Sequence, residues 1–112
     1  MPEKDLGKTS IGMNANIAAV LSYLLGFASG IIFYLLEKEN KFVRFHAMQS
    51  IVTFGFLWVL SFVIMVVPSL GWVIARFIYL IEVILWVILM FKAYQGEYFK
   101  LPVAGDIAEK NS

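Results

Sequence analysis

Met48–Val67, MQSIVTFGFLWVLSFVIMVV, runs into Pro68-Ser69-Leu70-Gly71 and then into Trp72–Phe91, WVIARFIYLIEVILWVILMF. Each flanking block has 20 residues, and the first carries no charge. At a rise of about 1.5 Å per residue, each block covers about 30 Å as a helix, the thickness of a bilayer's hydrocarbon core. Helices are expected there because lipid offers backbone N–H and C=O groups no partner. The β-branched residues of the first block, among them Ile51, Val52, Thr53 and Val59, favour strands in water but do not decide the matter in lipid. Pro68 and Gly71 stop and reverse the chain, which predicts an antiparallel hairpin.

Outward from this hairpin, residues 9–36 are also uncharged, and Ile17–Leu36 makes a third block of 20 mostly apolar positions. Its N-terminal flank, MPEKDLGKTS, is nearly charge-balanced, and the run exceeds the roughly 7–15 residues of a signal-peptide core, so a retained helix is expected. The whole chain of 112 residues is 61% hydrophobic and 15% charged, against roughly 25% charged in soluble domains. A soluble domain of this size buries only about two-thirds of its surface and could not hide so much apolar area. A net charge of +1 points to neither nucleic acid nor an acidic partner. With no Cys, disulfides and thiolate metal sites are excluded.

The expected fold is therefore an all-α integral membrane protein with three transmembrane helices, the second and third an antiparallel hairpin. A polar N-terminal arm (1–13) precedes a membrane domain (14–96), and a polar tail (97–112) follows it. The helices are expected over 14–36, 46–67 and 72–95, with Gly96 in a capping position. Three spans put the arm and the 68–71 turn on one side, and the 37–45 connection and tail on the other. Lys38, Lys41 and Arg44, with Lys92, Lys100 and Lys110, outnumber Lys4, Lys8 and Arg76. The Lys/Arg bias thus predicts a multi-pass plasma-membrane protein with its N-terminus outside and its C-terminus cytoplasmic.

Ala18, Ser22, Gly26 and Gly30 recur at four-residue spacing, and Gly26–Gly30 is a GxxxG motif. Such a ridge lets another helix approach until backbones touch. That helix belongs either to the hairpin of the same chain or to a second copy, since the motif does not say which helix it faces. Glu82 falls mid-way along the third block, where an ionisable group costs roughly 2.5 kcal/mol or more. One reading makes it a proton- or cation-handling carboxylate. The other makes it a packing residue bonded to a hydroxyl such as Tyr23, Ser22 or Ser61.

His46, Gln49, Ser50 and Thr53 share one helical face beside Arg44. They are expected to satisfy helix ends and anchor the second helix at the interface, with Lys41–His46 touching lipid headgroups. One His without further ligands is no metal set, and no nucleophile–base pair is evident. No enzymatic activity, cofactor or small-molecule substrate is expected.

Two stretches carry a family resemblance: Gly30–Ser50, GIIFYLLEKENKFVRFHAMQS, and Lys92–Glu109, KAYQGEYFKLPVAGDIAE. They resemble the chloroplast-import-component-like proteins of prokaryotes. That group takes in the twenty-kilodalton subunit of the chloroplast inner-envelope translocon and certain magnetosome membrane proteins. The translocon subunit is described with four spans, where three are counted here. The resemblance implies no catalytic residues, and it directs attention to Arg44, Phe45, His46, Gln49 and Ser50. The expected role is a scaffold or accessory subunit in membrane-protein import, insertion or assembly, with the lipid bilayer and a homo-oligomer or other membrane proteins as partners. The alternative is a small oligomeric transporter or channel with Glu82 lining a polar path.

Overall fold

The computed structural model describes residues 6–112; Lys4, counted in the charge bias above, lies outside them. They form five helices: α1 (Ala15–Leu24), α2 (Phe27–Leu36), α3 (Lys41–Met65), α4 (Gly71–Tyr94) and α5 (Ala104–Lys110). Two of these, α3 with 25 residues and α4 with 24, are long and apolar enough to cross a membrane. They reverse through residues 66–70 into the expected antiparallel hairpin.

The expected first span over 14–36 is not one helix. It is two helices of 10 residues each, and each reaches only about 15 Å, half of a hydrocarbon core. Gly26 breaks them apart with φ 64° and ψ −137°, a conformation that a side chain opposes. The halves then run antiparallel. Ser10, ahead of α1, donates its N–H to Glu37, just past α2, at 2.7 Å.

A chain reversal at mid-membrane depth frees backbone groups that must be satisfied internally, and three side chains do this. The Ser29 hydroxyl accepts from Leu25 N at 2.9 Å and donates to Ser22 O at 3.0 Å. Ser50 donates to Gly26 O at 2.9 Å, and the Trp86 indole donates to Tyr23 O at 2.7 Å. Ser22 itself bonds Ala19 O at 2.6 Å. The protein is therefore a transmembrane hairpin, α3–α4, with a half-depth helical hairpin, α1–α2, packed against one end of it.

This architecture corrects two expectations. There are two span-length helices among the described residues, not three. The arm, the 37–40 connection and the tail also share one end. Asn40 Nδ2 donates to Leu6 O at 2.9 Å and Lys8 O at 3.0 Å, and Asn16 Nδ2 donates to Tyr94 O at 3.2 Å. An arrangement with the N-terminal arm and the tail on opposite faces does not fit these contacts.

The small residues act within the chain. Ala15, Ala18 and Ala19 let α1 settle against α3 and α4 around buried Tyr23, Phe42, Leu89 and Ala93. A Cβ on Gly30 would stand 2.9 Å from Ala47 O and 3.0 Å from Ser50 Cβ, so α2 meets α3 there backbone to backbone. The break at Gly26 splits the four-residue spacing between two helices, and no continuous ridge faces outward.

Candidate functional site

The polar residues at the start of α3 converge on the chain's own tail. His46 is fully buried. Its Nε2 lies 2.8 Å from Glu97 O, an acceptor only, so Nε2 carries the proton. Its Nδ1 then accepts from the Tyr23 hydroxyl at 2.7 Å. Gln49 donates from Nε2 to the Tyr23 oxygen at 3.1 Å and to Phe99 O at 2.8 Å, and its Oε1 accepts from Leu101 N at 2.8 Å. These partners fix every donor and acceptor of His46 and Gln49. The strap 97–101 is thereby bound as an edge is bound in a sheet, but by side chains of one helix.

Arg44 closes the same end. Nη1 donates to Tyr34 O at 3.1 Å and to Glu37 O at 2.8 Å, at the C-terminus of α2 where a cation complements the negative end of the helix dipole. The guanidinium sits 4.0 Å over the Tyr34 ring, and Nε reaches Ser112 O at 3.3 Å. Phe45 and Phe42 are buried with ring centroids 5.2 and 5.0 Å from Tyr98. Of the segment Lys41–His46, expected to touch lipid headgroups, only Lys41 is exposed; the aromatic members turn inward.

Glu37, which the sequence reading passed over as one charge in a connection, is fully buried. Burial acts to raise its carboxyl. Donors from Ser10 Oγ, Asn40 N, Ser10 N and Glu39 N outweigh this and bring it down to about 2. It therefore stays a carboxylate and ties the arm to the head of α3, where Asn40 caps the helix by accepting from Val43 N at 3.0 Å.

The residues singled out in the sequence thus divide. Arg44, Phe45, His46, Gln49 and Ser50 come together with Ser22, Gly26 and Gly30 around the α1–α2 hairpin, all engaged in intrachain contacts. Thr53, one turn deeper, keeps a buried hydroxyl with no hydrogen-bond partner among the described residues. Glu82 stands apart on α4. It lines a lateral cleft of about 520 Å³ under the Leu25–Phe27 turn, with Phe54 and Trp58 of α3 opposite. Among the described residues Glu82 makes none of the expected bonds to Tyr23, Ser22 or Ser61; Tyr23 and Ser22 bond elsewhere.

A family model covers residues 8–108. The chain belongs to the magnetosome magnetite crystal formation protein family. A UPF0132 membrane protein of Methanocaldococcus jannaschii is 55% identical over 107 residues, 96% of each chain. A UPF0132 membrane protein of Archaeoglobus fulgidus is 49% identical over 98 residues, 88% of this chain and 95% of its own. No solved structure shows significant similarity. These findings overturn the expected kinship with chloroplast-import-component-like proteins: neither the family description nor the relatives' names concern an import component. The chain is a membrane protein of an uncharacterised family.

Proposed function

We propose that the chain is a non-enzymatic membrane protein that works by association, as a scaffold or accessory subunit in the assembly of other membrane proteins. One observation carries this reading. The hairpin α1–α2 covers only one half of α3–α4, and the other half presents Phe56, Phe62, Phe77 and Leu80, each more than half exposed. In lipid, helices associate by dispersion and shape, and this uncovered half is the surface left for a second helix. The polar end is spent on holding the chain's own arm and tail. Among the described residues no group of three or more His, Cys, Asp or Glu comes together.

Lys8, Lys38, Lys41, Arg44, Lys92, Lys100 and Lys110 lie at the end shared by arm, connection and tail, while Arg76 is near the opposite turn. That bias supports a reading in which the shared end, with both arm and tail, faces the cytoplasm of a cell membrane. Amine-reactive crosslinking in native membranes, followed by purification in mild detergent, tests association. The expected result is a discrete higher band, homomeric or with a partner; a strictly monomeric, partnerless chain contradicts the reading. A second reading, a small oligomeric transporter or channel, is favoured by Glu82 lying beside helix ends at mid-depth. Flux in reconstituted vesicles separates the two.

A further inference from the structure

The lateral cleft has a composition that selects one kind of occupant. Its walls include Phe27 on the half-depth hairpin, Phe54 and Trp58 on α3, and Tyr79, Glu82 and Trp86 on α4. Phe27 and Trp58 pack at 5.5 Å between centroids, and the Trp86 indole is pinned by Tyr23 O, so this aromatic lining is held in place. Glu82 lies 11 residues from the start of α4 and 12 from its end, about 17 Å from either end along the axis. Its carboxyl makes no hydrogen bond or ion pair among the described residues. Arg76, the sole Lys or Arg between Arg44 and Lys92, is stacked on the Trp72 ring at 4.6 Å. The cleft therefore offers one unmatched carboxyl group, several aromatic faces and no cation.

An anion is excluded by the carboxyl group, and a neutral acyl chain leaves it unmatched at a cost of a few kcal/mol. A divalent metal ion needs several oxygen ligands and finds one side chain. A second copy brings no basic group to this depth, because Arg76 lies six residues from Glu82, about 9 Å along the axis. A hydrocarbon-clad organic cation meets all the terms. Its charge faces Glu82 and the aromatic rings attract it, while its apolar body replaces lipid against the walls.

We propose that this cleft binds a membrane-partitioned organic cation, of the substituted ammonium or phosphonium class, with Glu82 as its counter-charge. The proposal goes beyond both functional readings, since it concerns occupancy at equilibrium and neither crosslinking yield nor flux enters its test. The probe is tetraphenylphosphonium, added to the full chain in detergent and followed by equilibrium dialysis and by quenching of tryptophan fluorescence. Saturable binding is expected, weakened about tenfold or more in Glu82→Gln, the scale of one ionic contact outside bulk water. Glu109→Gln, at the tail, should leave it unchanged. Circular dichroism and gel filtration establish that Glu82→Gln is folded, and Trp58→Ala gives a second loss by removing a ring while keeping the carboxyl group. Absence of saturable binding, equal affinity in Glu82→Gln, or equal competition by neutral triphenylphosphine overturns the proposal. Disulfide formation between copies of Tyr79→Cys that blocks the probe also overturns it, by assigning the cleft to a second copy.

Discussion

Replacing Gly26 with alanine is expected to cost about 2 kcal/mol and to loosen the α1–α2 hairpin from α3–α4. The cost is torsional. At φ 64° and ψ −137° an L-residue sits in a region that costs about 1–3 kcal/mol. Space is not the obstacle, because a Cβ there would meet only Phe54 Cβ, at 3.8 Å. Relief of the torsion would move Gly26 O away from Ser50 and Tyr23 O away from Trp86, uncovering carbonyls at a depth without water. Gly55→Ala supplies the contrast. Gly55 lies within α3, and a Cβ there has its nearest neighbour, Phe27 Cβ, at ordinary contact of 3.9 Å. Its effect should be neutral or slightly stabilising. Reversible unfolding of both variants in mixed micelles measures the difference; equal stability of Gly26→Ala and the unmutated chain would refute the strained turn.

Glu37→Ala is expected to release the N-terminal arm and to cost about 3 kcal/mol, since four donors lose a buried charged acceptor. Tryptic cleavage after exposed Lys8 should accelerate, as read by mass spectrometry. Acid should reproduce the effect in the unmutated protein. The folded carboxyl is lowered from 4.5 to about 2, so the folded state binds fewer protons than the unfolded chain between these values. The stabilisation is complete above the upper value and is lost as pH falls through the lower one. Cleavage after Lys8 that is insensitive to Glu37→Ala would show that the arm is held by other contacts.

These two residues also mark what the sequence conceals. The apolar lengths of α3 and α4 and their Pro-Gly reversal are legible because hydropathy and chain reversal are local properties. Residues 14–36 have the same apolar character whether they cross once or return half-way, so length alone misleads. The informative marks are polar: Ser29, Ser50 and Trp86, three hydrogen-bonding side chains at one depth with only a broken backbone to serve. Gly26 reads as part of a packing ridge when its helix is assumed unbroken. Glu37 reads as a surface charge because its partner Ser10 is 27 residues away. The shared face of His46, Gln49 and Ser50 is legible from spacing, but its inward turn and engagement with residues 97–101 depend on the long-range return of the tail. Glu82 is legible as an anomaly of depth, while its cleft exists only because α1–α2 stops short beneath it. The Gly30–Ser50 block suggested a wrong kinship for a related reason. It builds the clasp that holds hairpin, arm and tail, and a clasp records architecture without recording the process it serves.

The central claim is that the first apolar block enters and leaves by the same face. The chain has no native Cys, so single cysteines at Lys8, Ser69 and Lys110 can be labelled with a membrane-impermeant maleimide in sealed vesicles of known orientation. The half-depth hairpin predicts that positions 8 and 110 react from one face and position 69 only from the other. Labelling of positions 8 and 69 from the same face, with 110 protected, would mean three crossings and would contradict it.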